Sequence, residues 1–262
     1  MTGKAAFVVC ILCAFLFVSP LSATGKPRSS LLLLIDSSGS MGNEIGNGNS
    51  DIKIEAAKAA AQAAVAQATQ KGLVEVAVLA FEGGCDNPVP RHLDFTTDTD
   101  KLIRFIWSLK PGGGTPMAEA VLFANDFMKR NGVADSTSQL IVLLADGQNG
   151  CGDVHAAMKT LQNSGVIFRH ETVGFGIDPL SQAAEDLQHI AVQTGGIYHH
   201  ADDANQLANV FLDLVNTLTV LDIVGKTGGI SPTVNISQQT VSVQIQKKKG
   251  ITRQLLDGLK LP

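Results

Sequence analysis

Aromatic residues make up only 5% of this 262-residue chain, with one Trp and one Tyr. So few rings make a poor surface for stacking nucleic-acid bases. Basic charge is short as well: 20 Lys and Arg face 24 Asp and Glu, for a net charge of −4. That balance argues against a phosphate-tracking surface, and no nucleic-acid-binding motif is present. Also missing are the Gly-x-x-x-x-Gly-Lys-[Ser/Thr] phosphate loop and the Gly-x-Ser-x-Gly nucleophile elbow. No apolar run reaches the ~20 residues that span a bilayer. The longest, Ala5 to Val18, follows Lys4 and precedes Pro20-Leu21-Ser22-Ala23. That layout predicts a signal peptide over residues 1–23, cleaved after Ala23, with no transmembrane helix left after cleavage. The chain is therefore expected outside the cytoplasm, secreted or periplasmic. Cysteine is scarce too. Of four, Cys10 and Cys13 fall in the leader, and the remaining pair, Cys85 and Cys151, is expected to form a disulfide in an oxidising compartment.

What is present is a globular profile, 45% hydrophobic and 17% charged, long enough for one α/β domain. Leu31 to Ile35 is a short, unbroken apolar run, as expected of a strand buried on both faces in a parallel sheet. Further strands are predicted at Val74–Phe81, Gln139–Leu144, Val166–Val173 and Ile197–His200, with a short edge strand at His92–Phe95. Between them run helical patterns: Ile52–Lys71, a segment capped by Thr99 or Asp100, Pro116–Lys129, Asp153–Asn163, Ser181–Thr194, and a last helix from Asp202 or Asp203 to about Leu218. The Gly/Asn-rich stretch Asn43–Asp51 reads as a loop. Strand and helix alternate, which predicts a doubly wound, mostly parallel sheet with helices on both faces. Residues 219–262 form a more basic C-terminal extension without aromatics. In it, Val241–Gln246 alternates like a half-exposed strand.

At the end of the first strand stand Asp36, Ser38 and Ser40, hard oxygen donors at alternate positions. In an open α/β sheet, ligands bind beyond the carboxyl ends of the strands, and hard oxygens suit Mg²⁺, Mn²⁺ or Ca²⁺. A plain βα turn in which Asp or Ser caps the next helix is the simpler reading. Two more oxygen-bearing residues occupy comparable places: Thr115 after three glycines, and Asp146 after Gln139–Leu144. The Asp-x-Ser-x-Ser run does not continue as a calcium loop of the EF-hand type, since Met41 stands where Gly is required.

Asp36-Ser37-Ser38-Gly39-Ser40, Gly114-Thr115-Pro116 and Asp146-Gly147, in that order, resemble the von Willebrand factor type A domain and its integrin I-like relatives. The resemblance covers residues 29–218 and implies a Rossmann-like three-layer sandwich with a metal-ion-dependent adhesion site. It implies Asp36, Ser38, Ser40 and Thr115 as metal contacts, with Asp146 direct or through water. Mg²⁺ is the expected ion, with Mn²⁺ or Ca²⁺ as alternatives. The implied partner is a protein offering a Glu or Asp carboxylate, in adhesion or assembly, with no catalytic residues. Two other readings are a scaffold or chaperone-like subunit of an ATPase- or chelatase-type complex, and a metal-dependent hydrolase. The second is disfavoured because no general base or nucleophile flanks the five positions. The histidines show no metal-type spacing, and adjacent His199 and His200 should point to opposite faces of a strand.

Overall fold

The apolar run that opens the chain's first strand becomes β1 (Ser29–Asp36), buried along its whole length. Its side chains divide by parity, as the two-residue repeat of a strand requires. Leu31, Leu33 and Ile35 join one core cluster, and Leu32 and Leu34 join the other. The computed structural model describes residues 29–46, 49–70, 72–132, 138–225, 233–237 and 240–244. The signal peptide predicted over residues 1–23 lies outside them.

β1 sits inside a six-stranded sheet of order β5-β4-β1-β6-β7-β8. The flanking strands are β4 (Val74–Phe81), β5 (Arg91–Thr96), β6 (Ser138–Ala145), β7 (His170–Phe175) and β8 (Tyr198–Ala201). All pairings are parallel except β4 with β5, so the edge strand is the antiparallel exception in a mostly parallel sheet. One face is covered by α1 (Lys53–Thr69), α2 (Thr99–Trp107) and α6 (Ala204–Gly225). The other is covered by α3 (Met117–Asn131), α4 (Val154–Ser164) and α5 (Gln182–Thr194). Small side chains let α1 lie close to the sheet: Ala57, Ala60, Ala61 and Ala64 are all buried. This is the doubly wound α/β arrangement expected from the sequence.

Three local expectations are corrected. Asn43–Asp51 contains a two-stranded antiparallel hairpin, β2 (Glu44–Gly46) with β3 (Asn49–Ile52). It is pinned by Ile45, which is buried in the first core cluster. The strand expected over Val166–Val173 begins instead at His170. The Asn125 side chain takes the strand partner's role before it, donating to the Val166 carbonyl (3.0 Å) and accepting from the Phe168 amide (3.0 Å). The cap of α2 is Asp98, which accepts from the Lys101 amide, rather than Thr99 or Asp100. In the C-terminal extension, β9 (Thr233–Ser237) and β10 (Thr240–Gln244) pair antiparallel. No helix among the described residues is long and apolar enough to cross a membrane.

Candidate functional site

The parallel strands end together, so Asp36, Phe81, Ala145, Phe175 and Ala201 share one edge of the sheet. From β1 the chain winds outward through β4 and β5, then crosses back to β6 on the other side of β1. That reversal marks a topological switch point at the carboxyl edge, the place where open α/β sheets bind ligands. Asp36 and Asp146 flank it, one at the end of β1 and one just past β6.

Asp36 is fully buried. Its Oδ1 accepts from the Ser38 amide at 2.8 Å, while Oδ2 is buried with no hydrogen-bond partner. Ser38 and Ser40 touch through their hydroxyls at 3.0 Å, and Ser40 donates to Asp146 Oδ1 at 2.6 Å. Burial, reinforced by the Asp146 charge, pushes the Asp36 carboxyl up to about 7, against the hydrogen bonds from Ser38 that pull it down. Four of the five expected positions therefore form one connected cluster. Thr115 is brought to it through its backbone. Gly112 donates to the Ser37 carbonyl (2.8 Å), Gly39 to the Gly113 carbonyl (3.0 Å), and Gly150 to the Thr115 carbonyl (2.7 Å).

Glycine is required where this loop passes the next one. Gly113 has φ +66°, and a Cβ there would lie 2.6 Å from the Gly83 nitrogen. A side chain thus meets both a left-handed backbone and a collision. Gly113→Ala is expected to lower stability by about 2 kcal/mol, measured from the denaturant midpoint, and to displace Thr115.

Cys85 and Cys151 are joined by a disulfide across 66 residues of sequence, with Cα atoms 6.0 Å apart. Its place matters. Gly114 donates to Gly83 on one side of the Thr115 loop, and Gly150 donates to Thr115 on the other. The disulfide ties those two outer loops together, and the Thr115 loop is held between them. Asn149 accepts from the Ala118 amide in the first turn of α3 (3.2 Å) and donates to the Gly152 carbonyl (3.1 Å).

One participant is not legible in the motifs. Lys53, the first residue of α1, is buried and sets its Nζ 2.9 Å from Asp146 Oδ2. Among the described residues, no three His, Cys, Asp or Glu side chains gather as a metal-binding group. The cluster's donors are instead two carboxylates and several hydroxyls. These are hard oxygens, and the bare, buried Oδ2 of Asp36 is the kind of atom a divalent cation satisfies, so the residues fit such an ion. The histidines lie elsewhere. His199 meets Glu171 (2.9 Å) and His200 meets Asp202 (2.8 Å), on opposite faces of β8 as alternation requires.

Residues 31–148 match the family model of the von Willebrand factor type A domain. Among solved structures, the PilB minor pilin from Streptococcus sanguinis superposes with a TM-score of 0.60 at 14% identity, over 79% of this chain and 64% of that one. The chain thus spans less than two thirds of that pilin's length. The vWF domain of the type V pili tip protein from Porphyromonas gingivalis gives 0.57 at 16% identity, over 75% of this chain and 96% of that domain. An aerotolerance-related membrane protein from Bacteroides fragilis gives 0.54 at 21% identity, over 72% of this chain and 99% of that one. At these identities the likeness is one of fold. No curated protein sequence matches this chain.

Proposed function

We propose that this chain, whose residues 31–148 match the family model of the von Willebrand factor type A domain, is an exported protein-binding module whose contact with its partner depends on a divalent cation. In this reading Asp36, Ser38, Ser40 and Thr115 hold the ion, with Asp146 direct or through water. Mg²⁺ is the favoured ion, and Mn²⁺ or Ca²⁺ are alternatives. When bound, the ion supplies an electrophilic site that a Glu or Asp carboxylate of a partner protein can complete. The chain's own residues do the rest. Asp36 brings a desolvated charge, the two serines bring neutral oxygens that leave the ion's charge largely unspent, and the glycines of residues 112–114 let the Thr115 loop approach.

The observation that carries this reading is Asp36 Oδ2, buried and without a hydrogen-bond partner, beside the hydroxyls of Ser38 and Ser40. An uncompensated buried carboxylate oxygen is costly, and a hard cation removes that cost. The pilus proteins among the structural neighbours support adhesion or assembly outside the cytoplasm as the setting. The expected signal peptide and the disulfide agree with that compartment.

Calorimetric titration of the mature, oxidised protein with Mg²⁺ and Mn²⁺ tests the site. Binding is expected in the wild type, at least tenfold weaker in Thr115→Ala and lost in Asp36→Ala. Equal binding in all three, or none in the wild type, would refute the assignment.

A further inference from the structure

Lys53 does not belong to any of the three motifs, yet its ammonium holds one oxygen of Asp146. Asp146 Oδ1 accepts from Ser40 and Oδ2 from Lys53, so both of its oxygens are engaged. The ammonium stops there: Asp36 Oδ2 has no hydrogen-bond partner. Lys53 reaches Asp146 by a built route. Its backbone amide donates to the Asn43 carbonyl at 3.0 Å, at the foot of the β2–β3 hairpin. Its Cε lies 3.4 Å from where a Cβ on Gly176 would sit, a position with φ +57° that suits glycine. The side chain is almost entirely enclosed, with 11% of it exposed, and the Asp146 side chain is wholly buried.

We propose that Lys53 is a positioning residue that fixes Asp146 beside the cation rather than on it, and that its fixed positive charge weakens metal binding until an anionic partner arrives. This rests on the metal-dependent reading above. With both carboxylates ionised, as cation binding requires, Asp36 and Asp146 contribute two negative charges and Lys53 cancels one. A divalent ion then leaves the site with an excess positive charge. The carboxylate of an acidic partner residue neutralises it. Metal and partner are thereby coupled, each improving the site for the other. In a poorly solvated cluster, one unit charge this near a divalent ion changes affinity by roughly tenfold or more.

The test is Mn²⁺ titration by calorimetry, without partner, of wild type, Lys53→Met, Lys53→Arg, Asp146→Asn and the double variant Lys53→Met/Asp146→Asn. Lys53→Met is expected to bind Mn²⁺ at least tenfold more tightly than wild type, and Lys53→Arg within threefold of it. Lys53→Met leaves Asp146 buried without its cationic partner and is expected to lose stability; the double variant removes both charges and avoids that cost. Its Mn²⁺ affinity should exceed that of Asp146→Asn at least tenfold. Wild-type binding that neither Lys53→Met nor the double variant improves over its parent would overturn the role of Lys53 and leave the metal site standing. Binding by Lys53→Met alone would support Lys53 as the suppressing charge while refuting metal dependence of the native protein. Absence of binding in every protein would refute both.

Discussion

Removing the Cys85–Cys151 disulfide, by reduction or as Cys85→Ala/Cys151→Ala, is expected to cost about 4 kcal/mol of stability, the chain-entropy value for a loop of this length. Urea denaturation of oxidised and reduced protein measures it directly, as a fall in midpoint. The location of the bond adds a second, functional expectation. The Thr115 loop is held between Gly83, which follows β4, and Gly150, which follows β6, and the disulfide joins the loops that carry them. Without the bond the two outer loops can part, and the backbone bonds to Gly114 and Thr115 loosen first. Asp36 and Ser38 do not depend on that clamp, because their contacts are local to the end of β1. Reduction should therefore weaken metal binding about as much as Thr115→Ala does, and much less than Asp36→Ala. A reduced protein that keeps full metal affinity would mean the bond acts on stability alone.

The same contrast between local and assembled contacts explains what could be read from the sequence. β1 was legible because Leu31 to Ile35 is short, apolar on both parities and bounded by turn residues, as a strand covered on both faces is. Strand–helix alternation predicted a doubly wound, mostly parallel sheet, but not the strand order, and it is β1 lying beside β6 that sets Asp36 near Asp146. Lys53 was not legible. A lysine in the first turn of a helix ordinarily reads as solvated, and its burial depends on Gly176 and Asp146, both more than ninety residues away. The β2–β3 hairpin was hidden for another reason. Its polar, Gly/Asn-rich residues show no alternation, and what makes it a hairpin is backbone pairing anchored by one buried side chain, Ile45. The late start of β7 had a similar origin, since Asn125 satisfies the backbone at Val166 and Phe168 and no local pattern announces it.

β7 also begins with a residue whose chemistry yields the second large effect. His170 is fully buried, its Nδ1 lies 2.8 Å from the Phe168 carbonyl, and its Nε2 has no partner. That contact places the ring proton on Nδ1 and leaves Nε2 bare. Protonating Nε2 would bury an unpaired cation, and burial accordingly pushes the imidazole down to about 4. Above pH 6.5 the ring is neutral in both the folded and unfolded chain and contributes no pH dependence. As pH falls below 6.5, the unfolded chain takes up a proton that the folded one refuses. Stability then drops by about 1.4 kcal/mol per pH unit until the folded ring titrates near 4, about 3 kcal/mol in total. Asp36, pushed up by its own burial, works with the opposite sign over part of the same interval in metal-free protein. Glu171 acts lower still: burial raises its carboxyl, but His199 and Arg169 together hold it below the ordinary value. The clean measurement is therefore a difference. His170→Asn keeps an amide donor near Nδ1 and removes the titrating ring. Its stability relative to wild type should rise by about 3 kcal/mol between pH 7.5 and pH 4, whatever its offset at neutral pH. A difference that stays constant across that range would show that His170 is protonated in the folded protein without penalty, and that the acid limb arises from other groups.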